Sequence, residues 1–430
     1  MRPRPSVRLL LALLAAALAL PAAADAAPGL KANLKGVQIG AVLPDVPDTV
    51  ADQELATAAK LGARVVRSSI EWSFIEPQAG TIDEAYLAKG DHLMAEARKR
   101  HIKVFLTLIG SPCWSTTAPA PDCSTDAGRQ DAAAYPPADD QAFARIAALV
   151  AARWQGDLAA LEIWNEPDQR NELYWKGPDK VQRYADLLKA TYPAVKAAAP
   201  GVPVAGAGIV GGNGKFLQAL YDAGIKGSYD VLSVHYYDLV LLSLGEIRKV
   251  RAANHDTTPM WLGEFGWTSC LTRTRKTQDQ HICVDRATQA QNLTDALGEL
   301  RRQKDVVGAI IYAIRDNNQY DFGLLDAAGR PKPAFAAMSR AFHGHLGRQR
   351  ALKLGVTRSR GHLVAAGSGP GGDAFLLEAA RGGQVVYRVA FRGDRFNGFR
   401  LALPAAIGTS GLKITVRRYS VARGAVVRRV

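Results

Sequence analysis

Cysteine is scarce in this sequence, with only four among 430 residues. None stands in a Cys-x-x-Cys pair or at metal-site spacing from a histidine, so a cysteine-ligated metal centre is excluded. The four form two local pairs in polar, loop-like stretches, Cys113 with Cys123 and Cys270 with Cys283. These pairs predict two loop disulfides in an oxidising compartment, and four free thiols are the alternative.

Long apolar runs are also missing, except near the start of the chain. Residues 9–20 are almost wholly Leu and Ala, but the run is shorter than the roughly 20 residues that span a bilayer. Arg2, Arg4 and Arg8 precede it, and small residues that fit an Ala-x-Ala cleavage site follow it. We expect residues 1–26 to be a signal peptide and the mature protein to be secreted, without a transmembrane segment. An uncleaved signal anchor is the alternative.

Acidic residues are few in one part of the chain, which accounts for most of the formal net charge of +14. Residues 346–430 carry 16 Lys and Arg against 3 Asp and Glu, whereas residues 26–345 are close to neutral. This change in composition predicts a domain boundary. No nucleic-acid partner is predicted, because no recognised binding motif accompanies the basic residues. The basic segment suits an anionic wall polymer, and a solvated module that only packs on the first domain is the alternative.

Between residues 36 and 345, short apolar runs alternate with amphipathic stretches. Strands are predicted at 36–43, 63–70, 102–109, 158–165, 202–210, 229–237, 259–266 and 307–314. Each precedes a helical pattern, as at 179–199, where apolar residues recur at helical spacing. Eight such units favour the α/β class and a (β/α)8 TIM barrel over residues 30–347.

An open, doubly wound sheet is the structural alternative to the barrel. That fold usually carries a Gly-rich phosphate-binding turn after its first strand, but residues 41–45 read Ala-Val-Leu-Pro-Asp. The barrel is therefore favoured. Residues 348–430 contain short strand-like pieces separated by Gly-rich turns, which predict a small C-terminal antiparallel β-sandwich module.

Two carboxylates stand at the ends of predicted strands, Glu166 after the fourth and Glu264 on the seventh. Active sites of (β/α)8 barrels lie at the carboxyl ends of the strands. Glycosidic bond cleavage requires such a pair, because one acid protonates the leaving oxygen and one carboxylate meets the anomeric carbon. The adjacent Trp164 and Trp267 suit a sugar, whose C–H faces stack on rings. A satisfied charge at a strand end is the alternative for either glutamate.

The chain resembles clan A of the glycoside hydrolases, of the family five and family thirty-nine type, in two segments, Trp164-Asn165-Glu166-Pro167 and Gly263-Glu264-Phe265-Gly266. The resemblance covers about residues 36–345. It implies that Glu166 is the general acid/base, that Asn165 holds the sugar 2-hydroxyl and that Glu264 is the nucleophile. It also implies retention of anomeric configuration.

Two further strands resemble the clan. Arg67 on the second strand resembles the arginine that pairs with the nucleophile, and an ordinary buried ion pair with a neighbouring carboxylate is the alternative. His235 and Tyr237 on the sixth strand resemble the clan's His-x-Tyr. The resemblance makes both of them donors that line the site, with Tyr237 orienting the nucleophile. A satisfied core histidine is the alternative for His235.

The sugar-contacting surface departs from the clan. Clan members often carry a Trp on the eighth strand, yet no Trp follows Trp267, and Tyr312 and Arg315 occupy that region. We expect these three residues, together with Trp72 and Trp114 at or after strand ends, to contact the substrate. Packing beneath loops is the alternative for the aromatic residues, and a solvated loop is the alternative for Arg315.

These features together predict a secreted retaining glycoside hydrolase that acts on a β-linked oligo- or polysaccharide. Neither a metal nor any other cofactor is predicted. The alternative is a catalytically silent glycan-binding or cell-wall-associated protein on the same barrel.

Overall fold

The computed structural model describes residues 30–270, 283–317, 320–359, 361–421 and 424–430. The predicted signal peptide lies outside these residues. Within them, no helix combines the length and the apolar composition that a membrane span requires.

Eight parallel strands close into a barrel in chain order, and the first strand pairs with the last at Gly36 and Ile310. The strands are β1 (Gly36–Gln38), β2 (Val65–Glu71), β3 (Lys103–Ile109), β4 (Leu158–Ile163), β5 (Val204–Ile209), β6 (Val231–Tyr237), β7 (Met260–Gly266) and β8 (Val306–Ile311). Each overlaps one predicted strand. The predicted TIM barrel is therefore confirmed.

Apolar side chains fill the barrel interior below the carboxyl ends of the strands. Seven strands contribute to this layer, through Val65, Phe105, Ala160, Ala205, Val231, Trp261 and Ile310. The Trp261 ring lies 5.0 Å from that of Phe105, between ring centroids. A Cβ at Gly308 would lie 2.1 Å from the Trp261 ring, so only glycine fits there. This packed layer closes the barrel from below and confines the polar interior to its carboxyl end.

Ten described helices accompany the strands. They are α1 (Asp48–Leu61), α2 (Trp72–Ile75), α3 (Glu84–Lys99), α4 (Asp126–Ala133), α5 (Asp140–Trp154), α6 (Lys180–Ala198), α7 (Lys215–Asp222), α8 (Val240–Ala253), α9 (Arg286–Leu300) and α10 (Pro333–Phe342). Eight of them match predicted helices to within a few residues. The other two, α2 and α4, are short and lie in the loops after β2 and β3, where no long periodic pattern marks them.

Aspartates begin several of these helices. The side chains of Asp83, Asp139 and Asp285 accept hydrogen bonds from backbone N–H groups in the first turns of α3, α5 and α9. Each such cap is typically worth about 1 kcal/mol, because it satisfies a donor that has no partner within the helix.

Both predicted disulfides are present. Cys113 is bonded to Cys123 between β3 and α4, and Cys270 is bonded to Cys283 between β7 and α9. The two Cα–Cα distances are 6.0 and 5.4 Å, within the usual range. The disulfides thus close two loops that leave the carboxyl end of the barrel.

The C-terminal part of the chain is a β-sandwich. One sheet contains β9 (Lys353–Ser359), β10 (His362–Ser368) and β13 (Gly398–Ala402). The other contains β11 (Phe375–Arg381), β12 (Gln384–Phe391), β14 (Lys413–Arg418) and β15 (Val426–Arg429). The sheets share an apolar core that includes Leu363, Phe375 and Ile414. The predicted sandwich is confirmed, and the boundary at residue 348 stays a prediction.

Ion pairs join the sandwich to the barrel. Arg418 at the end of β14 lies 3.2 Å from Glu299 of α9, and Arg350 lies 2.7 Å from Asp295 of the same helix. Near the carboxyl end of β6, Arg392 pairs with Asp238 at 2.9 Å. The sandwich therefore packs along α9 and reaches the segment after β6 at the rim where the strands end.

Candidate active site

A cleft of about 860 Å³ opens at the carboxyl ends of the barrel strands. Among the sequence-predicted residues, those that line it are Arg67, Asn165, Glu166, His235, Tyr237, Glu264 and Tyr312. They come from β2, β6, β7 and the segments after β4 and β8. The fold thus collects residues that are up to 245 positions apart in the sequence, since Arg67 and Tyr312 share the cleft.

Glu166 reaches the cleft through an unusual backbone path. Trp164 and Glu166 have φ angles of 70° and 46°, in the left-handed region that side chains other than glycine rarely adopt. The Trp164 indole donates a hydrogen bond to the Tyr174 carbonyl oxygen at 2.7 Å and packs against Trp175. These contacts hold a conformation that typically costs about 1–3 kcal/mol per residue, as is common at functional sites.

Glu264 lies at the end of β7 and is buried between two donors. Arg67 Nη1 lies 2.6 Å from its Oε1 atom, and the Tyr237 hydroxyl donates a hydrogen bond to its Oε2 atom. Both carboxylate oxygens therefore accept a hydrogen bond from a side-chain donor. The preceding Gly263 is required, because a Cβ there would lie 2.8 Å from His235 Nε2.

Arg67 links Glu264 to the other strands. Its Nε and Nη2 atoms donate to Glu162 Oε2 at 3.0 and 2.6 Å, and Nη2 also donates to Asn165 Oδ1 at 2.8 Å. Nη1 donates to Gln38 Oε1 at 3.0 Å as well as to Glu264. Both interpretations of this arginine therefore describe real contacts, since it pairs with Glu264 and with a neighbouring buried carboxylate.

That neighbouring carboxylate, Glu162, was not among the predicted site residues. It is fully buried, and it accepts hydrogen bonds from Thr107 and Ser233 in addition to Arg67. Burial, the largest single influence, would raise the pKa of Glu162, but the charge of Arg67 together with His235 and the hydrogen bond from Ser233 outweighs burial and lowers it. The sequence signal was an acidic residue inside an otherwise apolar strand, which needs a buried partner to be tolerated.

His235 lies between the carboxylates. Its Nδ1 atom is 2.9 Å from Glu166 Oε1 and 3.8 Å from Glu264 Oε1, and its Nε2 atom is 3.6 Å from Glu162 Oε1. Burial alone would lower the pKa of His235, but the surrounding carboxylates, Glu264 first among them, raise it to about 10. This rise in pKa favours the imidazolium form of His235, in which Nδ1 donates the hydrogen bond to Glu166 Oε1.

Glu166 differs from Glu264 in its electrostatic surroundings. Burial raises the pKa of Glu166, the hydrogen bond from His235 opposes that increase, and the nearby charge of Glu264 adds to it. No direct hydrogen bond joins Glu166 to Arg67 among the described contacts. The two carboxyl groups in the cleft therefore have different partners, a guanidinium for Glu264 and an imidazole for Glu166.

These residues form the one group in the described parts of the chain whose His, Cys, Asp or Glu ligand atoms lie close enough to share a metal ion. The ligand atoms of Glu166, His235 and Glu264 all lie within 4.8 Å of one another. Arg67 lies 2.6 Å from Glu264, and a guanidinium at that distance opposes the binding of a second cation. The arrangement suits acid–base and nucleophilic chemistry better than metal ligation.

Four of the residues expected to contact substrate do not line the cleft. Trp72 is buried, and its indole donates to Glu76 Oε2 at 3.0 Å, while Trp114 packs edge-on against Trp72. Trp267 is buried beneath the rim and donates to Asp238 Oδ1 at 3.3 Å. Trp72 and Trp267 therefore pack beneath loops, as the alternative predicts. Trp114 is 36% exposed outside the residues that line the cleft, so its contact with substrate stays a prediction.

Arg315 is the fourth of these residues. It forms a backbone bridge with Leu325, and its charge acts to lower the pKa of Glu54. Trp164, which was expected to suit a sugar, is likewise fully buried.

Other aromatic residues line the cleft. Tyr174, Tyr320 and Phe322 line the cleft, and Tyr312 packs edge-on against Tyr237 and Phe322. Burial is the main cause that raises the pKa of Tyr174, followed by the charges of Glu166 and Glu264. The sequence did not distinguish the aromatic residues that line the cleft from those that are buried, because both groups occur in loops that follow strands.

Comparisons with known proteins agree with this geometry. Residues 139–337 match the family described as "Glycosyl hydrolase catalytic core". A comparison with proteins of curated function finds no sequence match.

Solved structures share the fold at low sequence identity. A family 39 glycoside hydrolase from the gut symbiont Bacteroides cellulosilyticus WH2 is 18% identical, with a TM-score of 0.55 and coverage of 86% of this chain and 79% of that chain. The GH39 enzyme from Xanthomonas axonopodis pv. citri is 14% identical, with a TM-score of 0.56 and coverage of 94% and 96%. A monomeric β-xylosidase from Caulobacter crescentus CB15 is 15% identical, with a TM-score of 0.56 and coverage of 88% and 95%. Together with the family match, these likenesses confirm the predicted resemblance to clan A.

The buried pair of Glu162 and Arg67 predicts a large effect on stability. Glu162→Ala leaves much of the buried Arg67 charge unpaired, and we expect it to lower the free energy of unfolding by about 3–5 kcal/mol. Chemical denaturation measures this change. The control is Glu172→Ala, which removes an exposed carboxylate paired with Lys180 and is expected to cost at most about 1 kcal/mol. Equal losses in the two variants would contradict the assigned role of Glu162.

Proposed function

We propose that the chain is a secreted enzyme that cleaves β-linked glycans with retention of anomeric configuration, because residues 139–337 match a glycosyl hydrolase catalytic core and lie in a barrel that resembles clan A. The observation that carries the proposal is the spacing of the two cleft carboxylates. One oxygen of Glu166 and one of Glu264 lie within 4.8 Å of each other. Retaining enzymes hold their carboxyl groups about 5–5.5 Å apart, whereas inverting enzymes leave roughly 6.5–9.5 Å for a water molecule.

In the first step Glu264 is the nucleophile. One of its carboxylate oxygens bonds to the anomeric carbon while the bond from that carbon to the glycosidic oxygen breaks. Glu166 gives its proton to the departing oxygen, so the first product leaves as a neutral alcohol. Arg67 and Tyr237 hold Glu264 in one orientation, and this positioning keeps an oxygen directed at the sugar.

In the second step water releases the sugar from Glu264. Glu166, now ionised, takes a proton from water as the water oxygen bonds to the anomeric carbon and the ester bond to Glu264 breaks. Glu166 regains its proton and Glu264 returns as a carboxylate. The hydrogen bond from His235 supports the ionised Glu166 that exists between the two steps.

Asn165 is suited to hold the sugar beside these groups. Its Oδ1 atom accepts from Arg67, so its amide nitrogen is the donor that faces away from the arginine. A hydrogen bond from this nitrogen to the sugar 2-hydroxyl strengthens as the transition state develops, as in other retaining glycosidases.

Secretion and β-linkage rest on separate support. The basic and apolar leader followed by small residues fits a cleaved signal peptide, and two disulfides fit an oxidising compartment. The shared fold includes a structure named as a β-xylosidase, which supports a β-linked substrate for this chain.

The outer face of the four-stranded sheet is suited to an anionic wall polymer. Ile414 and Val416 of β14 face the sandwich core, so Lys413 and Arg417 alternate to the outside, where Lys413 is paired in register with Arg429 of β15. Cations on neighbouring strands attract a polyanion over a distance set by ionic strength.

Attraction between these cations and an anionic polymer predicts that binding of the full chain to the polymer weakens as salt is added. Co-sedimentation with teichoic acid or polyglucuronate should weaken several-fold between about 0.05 and 0.5 M NaCl, since screening shortens the electrostatic range. The variant K413S/R417S/R429S should bind less at low salt, whereas K60S/K99S/K226S, which removes three barrel cations, should bind as wild type does. Equal binding by both variants would contradict this use of the sheet.

Azide distinguishes the two glutamates. On an aryl β-glycoside or β-glycan panel, Glu166→Ala and Glu264→Ala should each lose about 10²–10⁴-fold in turnover of substrates with poor leaving groups. Added azide should restore Glu264→Ala with an α-glycosyl azide product, and Glu166→Ala with a β-glycosyl azide product, as NMR identifies them. Glu172→Ala serves as the control. Undiminished turnover in either glutamate variant contradicts the proposal, and a folded wild type that binds glycan without turnover supports the silent alternative.

The pH profile reports on Glu166. The enzyme needs Glu166 protonated in the first step, so kcat/KM should fall on the alkaline side as Glu166 loses its proton. Because His235 lowers the pKa of Glu166, His235→Asn should move the alkaline limb of kcat/KM to higher pH. The exposed His343→Asn should leave the limb in place. An alkaline limb that stays or moves to lower pH in His235→Asn would show that another group controls it.

A further inference from the structure

The cleft wall contains a third carboxylate that the proposed reaction does not use. Glu71 is the last residue of β2, and it lines the cleft together with Arg67 and Ser69. The three residues alternate along the strand and therefore share one face. A strand rises about 3.3 Å per residue, which places Glu71 about 13 Å along β2 from Arg67. Glu71 thus lies nearer the cleft mouth than the pair formed by Arg67 and Glu264.

The surroundings of Glu71 belong to the wall between β2 and β3. A Cβ at Gly110, just after β3, would lie 3.6 Å from Glu71 Oε2 and 3.7 Å from the Ala133 side chain of α4. Gln130 and Ala133 of α4 line the same cleft. The disulfide between β3 and α4 closes this part of the chain, so the wall opposite Glu71 is covalently tied to the barrel.

Few neighbouring groups stabilise a negative charge on the Glu71 carboxylate. Its carboxylate accepts a hydrogen bond from Ser73 at 3.2 Å, and no described Lys, Arg or His forms an ion pair with it. Burial raises the pKa of Glu71, with only Ser73 acting against that increase. By contrast, Glu162 and Glu264 each contact Arg67. A largely buried carboxylate in an open cleft therefore still has oxygen lone pairs available to donors of a ligand.

The charges of the cleft indicate which donors these are. The basic side chains among the described cleft residues are Arg67 and His235, and both are engaged by Glu162, Glu166 or Glu264. None of the described cleft residues offers a cation to an anionic sugar at the β2–β3 side. The loop closed by the Cys270–Cys283 disulfide begins after β7, which lies four strands from β3 in the ring of eight strands. This loop therefore begins on the opposite side of the barrel from β3.

Sugar hydroxyl groups match this carboxylate. Its two oxygens can accept from two adjacent hydroxyls, and hydrogen bonds to an ionised acceptor are stronger than neutral ones. A uronate carboxylate at the same place would face a like charge without a cation, which opposes binding.

We infer that Glu71 is a substrate-recognition residue that binds adjacent hydroxyl groups at a subsite on the β2–β3 side of the cleft and restricts that subsite to uncharged sugars. The inference rests on the proposed function for its class of ligand, a β-linked glycan. It assigns to the enzyme a neutral glycan at this subsite and excludes a uronate there.

Binding and turnover together test this role. Calorimetry measures dissociation constants of the turnover-suppressed Glu264→Gln protein for β-1,4-linked tetrasaccharides of glucose, mannose and xylose, and for the glucose and mannose compounds with C6 oxidised to carboxylates. At least one neutral hexose tetrasaccharide should bind, and its oxidised form should bind about 10-fold more weakly or worse. Adding Glu71→Gln should reduce that preference about 10-fold, and adding Glu71→Ala should weaken neutral binding about 10-fold.

A matched variant separates recognition from general charge and stability effects. Glu84→Gln removes one carboxylate from the first turn of α3, where it pairs with Arg153 outside the cleft, and it should leave the preference as it was. Melting temperatures accompany every measurement. A merely structural Glu71 would lower the melting temperature and weaken neutral and oxidised ligands equally, and that result overturns the inference.

The outcomes for Glu71 and for the proposed function are distinguishable. Turnover by the wild type with an unaltered neutral-to-oxidised preference in Glu71→Gln overturns the role of Glu71 and leaves the hydrolase in place. The expected preferences in binding, without turnover by the wild type, support Glu71 and contradict the hydrolase. Failure of every neutral tetrasaccharide to bind contradicts the assigned class of ligand.

Discussion

The guanidinium of Arg67 joins β1, β2, β4 and β7 inside the carboxyl end of the barrel. It is only 3% exposed, and it contacts Gln38, Glu162, Asn165 and Glu264. A buried cation is tolerated only when its donors are satisfied. The contacts that satisfy Arg67 therefore fix both the relative positions of these strands and the geometry of the site. The planar fork of arginine provides several donors in fixed directions, which a lysine at this position would not.

The two carboxyl groups proposed as catalytic differ in whether they contact Arg67. Glu264 contacts Arg67 directly, whereas Glu166 contacts His235. The strained turn at Trp164 and Glu166 places the second carboxyl group opposite the first. Packing of Trp164 beneath the loop after β4 holds that turn, so a residue buried away from the sugar still shapes the reaction centre.

The sandwich contributes to this end of the barrel through ion pairs rather than through cleft residues. Asp238 follows β6 directly after Tyr237, and it accepts hydrogen bonds from Trp267 of the barrel and from Arg392 of the sandwich. The module is therefore fixed next to the strand that orients Glu264. Some basic residues of the sandwich therefore pair with carboxylates of the barrel at the interface, while others lie on the outer face of the four-stranded sheet.

The sequence by itself determined the order of strands and helices, the two disulfides and the positions of Glu166 and Glu264 at strand ends, because these depend on local periodicity, spacing and short motifs. Only the tertiary structure decided which loop aromatics reach the cleft. Trp72 and Tyr320 both lie in segments after strands, yet one is buried and the other is exposed beside the site. The roles of Glu162 and Glu71 were decided in the same way. Glu162 contacts Arg67 from another strand, whereas Glu71 lines the open cleft. Both surroundings are formed by residues far apart in sequence that only the closed barrel brings together.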